Sequence, residues 1–130
     1  MLAACGASDG VSVTDARISE PFANSTALYF TAQNHAGAPD RLVGVASAAV
    51  DETRLHEMTI DADGFATMTD ADEFVVDAGD DLVLEPGSRH VMLLGVADMD
   101  VGDVVEVELV WEHAGSMTVQ AEVVPAGTGW

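Results

Sequence analysis

The chain has 130 residues, 48% of them hydrophobic and 21% charged, which is enough apolar material for one packed core and too little length for two. Its 23 acidic residues outweigh four basic ones, all arginine, for a formal net charge of −19. Such a surface repels phosphate backbones and acidic lipid heads, so nucleic acid and direct electrostatic membrane binding are excluded as expectations, and cations or a basic protein face are favoured. A high-salt habitat accounts for the same acidity without any partner.

The N-terminal stretch Leu2-Ala3-Ala4-Cys5-Gly6 resembles a bacterial lipobox, in which the cysteine becomes the lipid-carrying first residue of the mature protein. The charged and apolar regions of a full signal peptide do not stand before it. Residues 1–9 therefore read as a lipobox remnant and flexible tether, with membrane contact only through a lipid on Cys5. As the only cysteine, Cys5 has no partner for an internal disulfide, and its place in a tail makes it a poor metal ligand.

From Gly10 onward the pattern is strand after strand. Gly10–Ser19 carries Val11, Val13, Ala16 and Ile18, and Thr26–Gln33 carries Leu28, Tyr29 and Phe30. Arg41–Ala49 and Thr53–Ile60 follow, then short segments at Phe65–Met68, Glu73–Val76, Asp81–Glu85 and His90–Leu94. Val104–Trp111 and Ser116–Val124 alternate most clearly. Val105, Val107, Leu109 and Trp111 share one side, and Met117, Val119, Ala121 and Val123 form the facing ridge across the Ala114-Gly115 turn. Turn residues separate the other segments: Asn34 to Pro39, Asp63-Gly64, Ala78-Gly79-Asp80 and Pro86-Gly87. No window shows the 3.6-residue stripe of a helix. Short strands with glycine-rich turns predict an all-β sandwich or barrel over residues 10–125, followed by a frayed tail at 126–130.

The chemistry lies in the spacing of histidines and methionines. His56-Glu57-Met58 is followed by Met68, and after twenty-one more residues by His90-Val91-Met92. Residues i and i+2 of a strand share a face, so the His90 imidazole and the Met92 thioether project together. The Pro86-Gly87 turn sets that strand's start near one end of the sandwich, and Greek-key wrapping can bring distant strands beside it. Thioether sulfur is soft and uncharged; two imidazoles and two thioethers suit Cu(I) and ill suit magnesium, calcium or zinc. Thioethers have no proton to lose and form no disulfides in an oxidising compartment. The predicted metal ligands are His56, Met68, His90 and Met92.

This spacing resembles the motif of the periplasmic copper chaperones that supply the dinuclear copper centre of cytochrome c oxidase: a histidine, ten or eleven residues, a methionine, twenty-one residues, then His-x-Met. Ala27-Leu28-Tyr29-Phe30 leading to Asn34, Asp40-Arg41-Leu42-Val43-Gly44, and Leu84 through Leu93 resemble that family's early strands and its most recognisable stretch. The resemblance implies a cupredoxin-like Greek-key sandwich. It also implies an extracytoplasmic Cu(I)-binding metallochaperone, not an enzyme, handing copper by ligand exchange to the copper-receiving subunit of cytochrome c oxidase. Some members carry a histidine- and methionine-rich C-terminal tail; Pro125–Trp130 has neither residue, so only the Cu(I) site carries over. Glu57 stands where the family sometimes has another methionine, and Met58 is left open between a structural or supporting residue, the favoured reading, and an extra ligand.

Competing readings use the same residues. A periplasmic copper buffer or tolerance protein needs the same site without a recipient, and an adhesion or assembly sandwich needs no metal at all. Met99 and Met117 read as core filling, and His35 and His113 as exposed turn residues. Asp61-Ala62-Asp63-Gly64 and Asp70-Ala71-Asp72-Glu73 begin like calcium loops but lack the ligand order of an EF-hand, and read as solvated turns. A blue-copper site needs a cysteine beside its histidines, which Cys5 cannot supply.

Overall fold

The computed structural model describes residues 10–86 and 88–126; the predicted tether and residues 127–130 of the predicted tail lie outside the described residues. Ten strands follow in chain order: β1 (Val11–Ser19), β2 (Ser25–Asn34), β3 (Asp40–Ala46), β4 (Glu52–Ile60), β5 (Ala66–Ala71), β6 (Phe74–Val76), β7 (Asp81–Val83), β8 (His90–Leu94), β9 (Val104–Trp111) and β10 (Gly115–Val124). They hydrogen-bond in the order β5-β4-β8-β2-β1-β10-β9-β3-β6, with β7 also on β2. The ladder folds back on itself, and the Thr53 hydroxyl of β4 donates to the Val45 carbonyl of β3 at 2.6 Å, tying the two halves together away from β1. The result is the all-β sandwich that the turn and strand pattern predicts.

Alternation builds the core. On β9 and β10, Val107, Leu109, Trp111, Met117, Val119, Ala121 and Val123 are buried, and Glu106, Glu108, Gln120 and Glu122 face solvent. The two strands pair in an unbroken register from Gly115 with Trp111 to Glu122 with Val104. Strand β1 cannot keep one alternation along its length. Its register on β2 shifts between Thr14 and Arg17, where Asp15 has φ +64°, so Val11 and Val13 before the bulge and Ile18 after it all reach the core. Beyond the bulge β1 pairs parallel to β10, which joins the two halves.

Two polar residues organise the strand ends. Buried Asp40 accepts backbone hydrogen bonds from Arg41 (2.7 Å), His113 and Ala114 (2.9 Å each), fixing the β9–β10 turn against β3. Buried Asn34 donates to the Ala38 and Val76 carbonyls and accepts from the Ala36 amide, closing the turn after β2. Strand β3 ends at Ala46, short of the expected Ala49, because Ser47 accepts the Ala49 and Val50 amides and turns the chain toward β4. Strand β5 spans Ala66–Ala71, longer than the expected Phe65–Met68; five of its six residues are exposed, so burial left no alternation by which to read its length.

Candidate metal centre

The face that matters is the outer one of β5-β4-β8-β2. Strand β7 pairs with one half of β2 and β8 with the other. Between them the chain makes a tight turn, in which the Ser88 amide donates to the Glu85 carbonyl and the Glu85 amide to the Arg89 carbonyl. His90 is therefore the first residue of β8, at the end of its ladder with β4. Arg89 fixes this start from the other face: its guanidinium lies 5.7 Å over the Phe74 ring and 3.9 Å from the Glu57 carboxylate.

Register then places the donors. His56 of β4 sits directly opposite His90 of β8, with ring centroids 5.3 Å apart and edge-to-face. Leu55 and Val91, one residue along, form the buried pair beneath them. Met92 shares the His90 face two residues on and is opposite Arg54, which makes it a diagonal neighbour of His56. On the other side β5 sets Asp70 opposite His56 and Met68 opposite Met58. Met68 is thus the second diagonal neighbour of His56. Directly opposed side chains stand about 5 Å apart at Cβ and diagonal ones about 7–8 Å, within reach of long side chains. All four predicted ligands share one face; His56 and His90 form the pair, and the two methionines flank His56 from opposite diagonals.

Exposure is graded across this set. His90 is 6% exposed, His56 and Met92 are half-buried, and Met68 is 41% exposed. Burial, reinforced by the nearby His56 and opposed by a hydrogen bond to the Ser88 backbone, lowers the His90 pKa from its ordinary 6.5. The ring is therefore held neutral with one nitrogen bonded to the backbone and a lone pair on the other. Asp70 positions the other ring, with Oδ1 2.8 Å from His56 Nε2. That carboxylate is in turn 3.4 Å from Arg54, whose Nε lies 2.6 Å from Glu52. A carboxylate or carbonyl on one ring nitrogen is the usual support of a metal-binding histidine, since it fixes both tautomer and ring angle. Tyr29 of β2 closes the far side of His90, ring centroids 6.2 Å apart.

Asp70, read from sequence as part of a solvated turn after a strand ending at Met68, lies instead on β5 two residues past Met68 and so on the same face, and Tyr29 had been read only as a strand residue. The residues set aside as structural fall as expected: Met99 and Met117 are in the core, and His35 and His113 are exposed. Asp61 uses one carboxylate oxygen to accept the Asp63 and Phe65 amides, so the first calcium-like stretch is a turn closure. Among the described residues no three His, Cys, Asp or Glu side chains gather to hold an ion. What this face offers is two imidazoles and neutral sulfurs, a donor set suited to a soft monovalent cation.

The fold is a cupredoxin-like sandwich of the PCuAC type. The PCuAC domain of PmoF2, solved with copper bound, superposes with a TM-score of 0.78 at 29% identity, covering 92% of this chain and 96% of that one. The Cu(I) form of DR1885 from Deinococcus radiodurans superposes with a TM-score of 0.69 at 28% identity over 84% of this chain and 74% of that one. Residues 11–123 match the family described as "Putative lipoprotein LpqE-like", and the chain belongs to that family. The protein "Putative lipoprotein Lxx21020" of Leifsonia xyli subsp. xyli is 32% identical over 117 residues, 88% of this chain and 70% of its own length. The expected kinship with the PCuAC copper chaperones is borne out in family and fold. Cys5, on which the lipid reading rests, lies outside the described residues.

Proposed function

We propose that this chain is an extracytoplasmic carrier of Cu(I), tethered by a lipid on Cys5, that holds one ion through His56, His90, Met92 and Met68 and passes it to a cuproprotein. The copper-bearing subunit of cytochrome c oxidase is the recipient implied by the resemblance. The observation that carries the reading is the His56–His90 pair, with rings 5.3 Å apart and a methionine on each diagonal. The PmoF2 domain and DR1885, similar in fold and both described with copper bound, support it.

The mechanism is ligand exchange with no change in copper charge. His90, buried and neutral, is the last donor to let go, and Met68, the most exposed, is the first. An incoming ligand replaces the Met68 thioether before the histidines release, so the ion is never without donors. Thioethers suit this role because each binds weakly and carries no proton whose return must be timed. Anaerobic titration should show one equivalent of Cu(I) bound, and Met68→Leu with Met92→Leu should weaken binding sharply. Unchanged affinity in that double variant removes the site. Mixing the copper-loaded protein with apo oxidase domain should transfer the metal; retention identifies a copper buffer instead.

A further inference from the structure

Sequence alone leaves Met58 open between a supporting residue and an extra ligand, and the register bears on that choice. Strand β4 pairs with β8 only from Glu52 to His56, while its pairing with β5 continues to Ile60. Residues beyond His56 and their β5 partners therefore form a two-stranded ribbon that runs past the start of β8. On the ligand face of this ribbon Met58 stands directly opposite Met68. It is also two residues from His56 on the same strand and diagonal to His90. Met58 is half-buried and absent from the buried core, so packing does not account for it. The opposite face of the ribbon carries Glu57, Thr59, Thr67 and Thr69, so its only sulfurs lie on the side of the histidines.

We infer that Met58 is a fifth copper donor. With Met68 it forms a two-sulfur pair at the outer end of the site, beside the inner end that Met92 completes. The histidine pair serves both ends. Moving between them exchanges one neutral thioether for another on a Cu(I) ion whose charge does not change, so no proton or electron is required. The ion can then shift toward the exposed ribbon, where a partner's ligands reach it, while remaining bound to His56 and His90. This inference rests on the proposed carrier function.

The test is anaerobic titration of protein carrying 13C-methyl methionine with Cu(I), followed by NMR, alongside affinity measurements on Met58→Leu, Met92→Leu and the double variant. Leucine keeps the volume and apolar character of the position, so folding is preserved. The Met58 methyl signal should shift together with those of Met68 and Met92, while buried Met99 and Met117 stay in place. Met58→Leu should weaken Cu(I) binding about tenfold, and the loss on adding it to Met92→Leu should exceed the loss it causes alone, because the two sulfurs substitute for one another. A Met58 signal that does not move while Met68 and Met92 shift, with affinity unchanged within twofold in Met58→Leu, overturns the inference and leaves the four-ligand site standing. If none of the three signals moves, the carrier reading itself has failed.

Discussion

Replacing Asp40 by asparagine alters one atom group in a place where three hydrogen bonds depend on it. Asp40 is 4% exposed; one carboxylate oxygen accepts the Arg41 and His113 amides and the other accepts Ala114. Asparagine keeps one accepting oxygen and turns an NH2 group toward another backbone N–H. A lost hydrogen bond to a charged acceptor costs about 1.5–3 kcal/mol, and the bonds that survive weaken because the acceptor is now neutral. Against this, a neutral amide is cheaper to bury than a carboxylate. The net loss should be about 2–4 kcal/mol. In urea, with a slope near 1–3 kcal/mol/M for a domain of this size, the midpoint should fall by about 1–2 M with the slope unchanged. Asp40 lies on β3 and the ligand face on β4, β5 and β8, so Cu(I) affinity of the folded variant should not change. A loss below about 0.5 kcal/mol would refute the view that this carboxylate holds the β9–β10 turn in place.

Four further outcomes are expected. Gly95→Ala should destabilise by about 2 kcal/mol in the same urea assay, because φ is +64° and the new Cβ would collide with the Asp51 carboxylate, its Cβ and Cγ at 2.7 Å. Asp70→Asn should weaken Cu(I) binding by about 10–100-fold in a competition titration, since the amide no longer fixes the His56 tautomer as the 2.8 Å carboxylate contact does. The His90 pKa is lowered on folding from 6.5, so the unfolded chain binds the proton more readily. The stability that this neutral ring contributes is complete above about pH 6.5 and is lost as pH falls below it; urea melts between about pH 7.5 and 5.5 should show a drop that His90→Gln lessens. Cu(I) at a thousandfold over its dissociation constant should stabilise the fold by about 4 kcal/mol in thermal melts, and zinc should do little.

Much of the architecture was legible because burial writes alternation into the strands. Val105 through Trp111 and Met117 through Val123 needed only a period of two and the Ala114-Gly115 turn to be read as a hairpin. The start of β8 was equally plain from the turn before His90. Features set by tertiary register were not legible. The bulge at Asp15 leaves no motif, yet it lets both halves of β1 reach the core. Asp40 is one of 23 acidic residues, and nothing in its neighbours marks it as buried. Within the site, spacing named the histidines and methionines, but strand pairing alone set His56 against His90, Asp70 against His56 and Met58 against Met68. A one-residue slip of β4 on β8 would have sent the imidazoles to opposite faces with the same sequence.

Two ring nitrogens and two thioether sulfurs of this chain are proposed to hold one soft cation. X-ray absorption at the copper edge on protein loaded anaerobically with one equivalent of Cu(I) tests this most directly. Two nitrogen and two sulfur neighbours are expected, with the sulfur signal falling in Met68→Leu/Met92→Leu. A spectrum of nitrogen and oxygen neighbours alone, the same in wild type and variant, would contradict this assignment.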